Sequence, residues 1–142
     1  MCALDIKKIL VPLDGSKNSF RGLDEAIYLA RQCHAIITGL YVVTLVLPSK
    51  NTPMTRIEKY LLEQAKKFML KAKTRAAQNG VVFKDKVVYG DEGQKIVNFA
   101  KNNRFDIIVI GARGKSVLKE IFFGSTSNYV MHKSQIPVLI VK

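Results

Sequence analysis

Hydrophobic and polar positions along this chain switch repeatedly between two periods. Ile6 to Leu13 is a nearly continuous apolar run, the signature of a strand buried on both faces. Asp14-Gly15-Ser16 then turns the chain; Ser16 is a suitable N-cap, and Phe20, Leu23, Ile27, Ala30 and His34 recur at helical spacing with Ala26 widening the stripe. Ala35 to Val43, rich in Ile, Thr, Tyr and Val, predicts a second strand. Strand, helix and strand of these lengths imply a parallel pair with a right-handed crossover.

The segment Thr44 to Pro53, with Pro48, Ser49, Asn51 and Thr52, breaks the pattern and reads as a loop over the strand ends, a candidate lid. From Met54 to about Asn79, Ile57, Leu61, Ala65, Phe68, Met69, Ala72 and Ala76 predict a long second helix closed by Asn79-Gly80. Val81 to Tyr89 predicts a third strand, placed at a sheet edge by Lys84, Asp85 and Lys86. Gly90-Asp91-Glu92-Gly93 turns into a third helix carrying Ile96, Val97, Phe99 and Ala100 and ending at Asn102-Asn103. Ile107 to Ile110 is the fourth strand; Tyr129, Val130 and His132 or Lys133 belong to a fourth helix running to Ser134, and Val138 to Val141 is the closing strand. Strand and helix alternate four times before this last strand. In one layer that gives an α/β fold, a single-domain doubly wound parallel sheet of five strands with helices on both faces. Ligands of such sheets bind beyond the carboxyl ends of the strands, where the strand order reverses.

Candidate chemistry concentrates after the fourth strand. The run Ile107-Ile108-Val109-Ile110 is halted by Gly111 and followed by Arg113, Gly114, Gly124 and the hydroxyl cluster Ser125-Thr126-Ser127. Gly111, Gly114 and Gly124 are expected to allow positive φ and bring N–H groups close to a ligand. The hydroxyls, at a helix start, sit where unpaired N–H groups and the positive dipole end favour phosphate, and Arg113 and Lys115 add positive charge. Gly114-Lys115-Ser116 ends like a P-loop, but that motif needs glycine at position 109 and the chain has Val109; a Rossmann GxGxxG is absent too. A bland reading stays open, in which the glycines only turn the chain and the serines only cap a helix.

The spacing Gly111-x2-Gly114-x9-Gly124-Ser125 resembles the signature of ATP-binding universal stress proteins. Lys8 to Ser16 is similar to that family's opening strand and Ile136 to Lys142 to its closing one, so the resemblance spans the chain. It implies the adenine nucleotide alpha hydrolase-like order 3-2-1-4-5, which brings Asp14 beside Gly111. It further implies that Asp14 binds ribose hydroxyls or holds Mg2+ against the phosphates, that Pro12 and Leu13 line the adenine side with Ile110 nearby, and that the Val42 backbone reads the adenine edge. Asp14 also suits an Asx-turn before Ser16, and Val42 alone reads as core. Homodimerisation through Val138 to Val141 is a further implication, as is slow ATP hydrolysis in some members.

Composition changes the picture in one respect. With 142 residues and 48% apolar content the chain suits one domain, spanning 1–142, yet 23 Lys and Arg against 11 Asp and Glu leave a net charge of +12. Such a field attracts polyanions or acidic partners. The basic residues are scattered, however, with Lys66, Lys67, Lys71, Lys73 and Arg75 as the one dense group, and no RNP-like aromatic pair, helix-turn-helix or zinc spacing accompanies them. Nucleic acid or acidic protein therefore stands as the alternative partner class. No apolar run reaches the ~20 residues of a membrane span, and Met1 to Lys8 lacks the layout of a secretion signal, so a cytoplasmic location is expected. Cys2 and Cys33 read as free thiols, and His34 and His132 as ordinary histidines without a paired nucleophile. Asp14, Asp91 and Glu92 are available carboxylates, but nothing in their spacing marks a catalytic base. The resulting expectation is an ATP-binding, nucleotide-responsive module of a stress response, with slow hydrolysis as its enzymatic alternative.

Overall fold

The computed structural model describes residues 5–44, 54–113 and 124–142. The loop expected up to Pro53, Gly114, Lys115 and the apolar spacer 116–123 therefore fall wholly or almost wholly outside the described residues, as does Cys2. Strands and helices alternate as β1 (Lys8–Pro12), α1 (Lys17–Cys33), β2 (Ile36–Val43), α2 (Arg56–Gln78), β3 (Phe83–Tyr89), α3 (Glu92–Asn102), β4 (Ile107–Gly111), α4 (Ser125–Lys133) and β5 (Val138–Val141). The strands pair in parallel in the order β3-β2-β1-β4-β5. The strand order thus reverses between β1 and β4.

Side-chain alternation along β1 divides the core into two layers. Ile9, Val11 and Leu13 join Leu23, Ala26 and Ala30 of α1 and Met69, Ala72 and Ala76 of α2. Leu10 faces the other way, with Leu40 and Val42 of β2, Ile96 of α3, Ile108 and Ile110 of β4 and Val130 of α4. Helices α1 and α2 therefore cover one face of the sheet, α3 and α4 the other.

Three of the helices start on side-chain caps: Ser16 Oγ accepts from Ser19 N at 3.1 Å, Thr55 Oγ1 from Glu58 N at 3.1 Å, and Asp91 Oδ2 from Gln94 N at 3.1 Å. The buried stripe of α2 differs from expectation at its start. Ile57 is 65% exposed, while Glu58 is buried. Seven residues before Ala65 is position 58, not 57, so the helical period puts the glutamate on the inner face. The strand β3 lies at one edge of the sheet with Lys84, Asp85 and Lys86 exposed, and β5 lies at the other. In the dense basic group Lys66, Lys67, Lys71 and Lys73 are exposed; Arg75 is half-buried, pairs with Asp24 at 3.0 Å and stacks over the Phe20 ring.

Candidate functional site

The sheet opens at the reversal point because of how β1 ends. Its pairing with β4 covers only Ile9 with Ile107 and Leu10 with Ile108, whereas its pairing with β2 continues to Pro12 and Leu40. The Leu13 N–H donates to the Leu40 carbonyl at 2.9 Å. Alternation along the strand turns the nitrogen of residue 12 toward β4, and Pro12 has no N–H to give. The two strands part there, leaving a cleft of about 250 Å³ at their carboxyl ends. That volume lies just below the roughly 300–1,000 Å³ common for small-ligand sites.

All the described candidates for nucleotide contact named from the sequence line this one cleft; Gly114 lies outside the described residues. The turn after β1 contributes Pro12, Leu13 and Asp14, and β2 contributes Val42. The end of β4 brings Ile110, Gly111 and Arg113, while Gly124, Ser125, Thr126 and Ser127 arrive with the start of α4. Asp14 Oδ1 accepts from Ser16 N at 2.9 Å, forming the Asx-turn, and Gly15 takes φ 83° beside it.

The two described glycines work differently from the expectation of positive φ. Gly111 closes a strand and is not in the left-handed region; a Cβ there would stand 2.6 Å from the Asn18 carbonyl oxygen and 2.8 Å from Asn18 Oδ1. Its missing side chain admits the first turn of α1. Gly124 is the N-cap of α4 with φ −66° and ψ 162°, an extended conformation open to any residue. Because glycine carries no capping side chain, α4 begins without a side-chain cap, unlike α1, α2 and α3. Gly124 to Ser127 line the cleft, so the positive end of the helix dipole lies at its wall.

Hydrogen bonds lock this corner. Ala112 N donates to the Val141 carbonyl at 2.7 Å, and the Ala112 carbonyl accepts from Gly124 N at 2.7 Å and from Ser127 Oγ at 2.7 Å. The Ser127 hydroxyl is thus engaged by the backbone, while Ser125 is exposed and Thr126 half-buried. Asn18 reaches across from α1, donating to the Val141 carbonyl at 3.3 Å and accepting from Arg113 N.

Several lining residues were not expected at the site: Ser19, Tyr41, Thr44, Leu61, Ile96 and, above all, Glu92. Burial pushes the Glu92 carboxyl above the usual glutamate range, the Asp14 charge adds to the shift, and a hydrogen bond from the Thr126 hydroxyl opposes it. Burial likewise pushes the Tyr41 phenol up, with Glu92 and then Asp14 contributing. The rule that ligands gather beyond strand ends applies to β3 as well as to β1 and β4, and would have pointed to the turn holding Glu92.

The universal stress protein family model matches residues 5–142. The universal stress protein YxiE of Bacillus subtilis (strain 168) is 34% identical over 145 residues, covering 95% of this chain and 98% of that protein. Among solved structures, the universal stress protein UspA from Lactobacillus plantarum superposes with a TM-score of 0.87 at 27% identity, covering 99% of this chain and 100% of that one. The universal stress protein from Archaeoglobus fulgidus in complex with dAMP shares the fold, with a TM-score of 0.74 at 22% identity over 98% of this chain and 100% of that one. With a family model spanning nearly the whole sequence and a relative of matching length at one-third identity, the chain belongs to the universal stress protein family.

Proposed function

We propose that the chain binds an adenine nucleotide, ATP or a shorter relative, in the cleft between β1 and β4, and acts as a nucleotide-responsive regulatory module. One observation carries this reading: apolar walls from Pro12, Leu13, Val42 and Ile110 and the uncapped start of α4 converge on a single opening at the strand reversal. Apolar walls suit a base, and helix-start N–H groups with the Ser125 and Thr126 hydroxyls suit phosphate. The dAMP complex of the Archaeoglobus fulgidus relative supports the same ligand class.

Asp14, which lines the cleft, would accept from ribose hydroxyls. Among the described residues no group of three or more His, Cys, Asp or Glu could hold a metal, so Mg2+ would depend chiefly on phosphate oxygens and water, with Asp14 adding a ligand. When bound, the ion would neutralise phosphate charge. A homodimer through β5 belongs to the same proposal: this strand lies at an open sheet edge with Leu139 40% exposed.

Thermal unfolding with different nucleotides tests the reading. A ligand at 100 times its Kd stabilises the folded state by about 2.7 kcal/mol. ATP should raise Tm by several degrees, UTP should do so less, and Ser125→Ala should reduce the ATP shift. Equal shifts from ATP and UTP, or none, would refute adenine recognition.

A further inference from the structure

The cleft contradicts the charge of the molecule around it. The chain carries +12 overall with only 11 acidic residues, yet Asp14 and Glu92 both face the opening meant for phosphate. Glu92 is placed there by helix packing. A Cβ on Gly93 would stand 2.6 Å from Tyr129 Cδ1, so the absent side chain lets the first turns of α3 and α4 close on one another. In that arrangement Glu92 and Thr126, in the first turn of α4, line the same cleft.

We propose that Glu92 is a specificity-determining residue: its carboxylate, in the cleft wall that also holds the start of α4, penalises each added phosphate charge of a ligand. The inference rests on the nucleotide reading above. A phosphate entering at the start of α4 shares the cleft with the Glu92 carboxylate, and the like-charge repulsion costs affinity. Base and ribose contacts, made by the walls and by Asp14, do not meet this penalty. Free triphosphate is therefore disfavoured relative to nucleoside or monophosphate, and a triphosphate whose charge is reduced by a divalent cation is disfavoured less.

The charged and titratable groups around Glu92 fit this role. Asp14 faces it from the end of β1 and Asp91 precedes it on its own helix, both adding negative charge; Tyr41 faces it from β2. Among the described residues Arg113, beyond β4, is the cation that lines the same cleft. Two carboxylates and one guanidinium leave the described wall net negative, against the sign of the whole protein.

The test is calorimetric titration of adenosine, AMP and ATP into the full chain, in EDTA at fixed ionic strength, for the wild type and Glu92→Gln. Removing one like charge at this range should strengthen ATP binding about tenfold, AMP binding less, and adenosine binding less than about twofold. Glu92→Ala should shift the same ratio in the same direction, guarding against a fold defect peculiar to one variant. An equal change for all three ligands, no change, or weaker ATP binding would overturn the assignment while leaving the nucleotide site standing. Failure of folded wild type and variants to bind any of the three would overturn the site itself, and this inference with it.

Discussion

Gly111 and Asn18 touch across the back of the cleft: a Cβ on Gly111 would come within 2.6 Å of the Asn18 carbonyl oxygen, well inside van der Waals contact. The obstacle is backbone in the first turn of α1, which cannot swing aside as the end of a side chain could. Gly111→Ala should therefore destabilise the fold by about 1–3 kcal/mol, the usual cost of overpacking. Urea denaturation measures it, and ATP affinity should fall too because Ile110, Ala112 and Arg113 would shift.

The hydroxyls of α4 divide by role. Ser127 is 2% exposed and donates to the Ala112 carbonyl, which keeps the Gly124 N–H when the hydroxyl is removed, so Ser127→Ala should cost about 0.5–1.5 kcal/mol of stability, the net worth of one hydrogen bond. Ser125 is exposed at the helix start, and Ser125→Ala should lower ATP affinity with stability changed by less than about 0.5 kcal/mol. Paired denaturation and binding curves separate the two.

Glu92 makes stability depend on pH with a definite sign. Its carboxyl is raised in the folded state, so the folded protein binds this proton more tightly than the unfolded chain does. The associated stability is fully present below the unfolded glutamate value of about 4.3 and is lost as pH rises through the raised native value. Glu92→Gln should be more stable than wild type at neutral pH, and the gap should close as pH falls below that range. Urea midpoints for both proteins across this window provide the check.

The open edge at β5 predicts association. Light scattering at micromolar concentration should report a dimer, and Leu139→Lys, which puts charge on the exposed edge, should give a monomer that keeps nucleotide binding. A wild-type monomer would contradict the proposed interface.

What was legible in the amino-acid order was local. The continuous run through Ile9, Leu10 and Val11 announced a central strand because both faces of β1 are buried, and Lys84 to Lys86 announced an edge because β3 is not. The described residues of the stretch from Gly111 to Ser125 line one cleft, and the Asn18 carbonyl beside Gly111 is a second demand for glycine that no spacing announced. Asn18 and Glu92 acquire their positions only through packing between elements far apart in sequence, α1 against β4 and α3 against α4. No period or spacing encodes such contacts. Ile57 and Glu58 show the limit within a single helix, since one residue of phase decides which of them is buried.

Calorimetric titration of the folded protein with ATP and Mg2+ tests the central claim most directly. The account predicts saturable binding at one site per chain with Kd on the order of micromolar, about −8 kcal/mol. Absence of saturable heat up to about 1 mM nucleotide would contradict it, since binding weaker than that is worth less than about 4 kcal/mol for all the contacts the cleft offers.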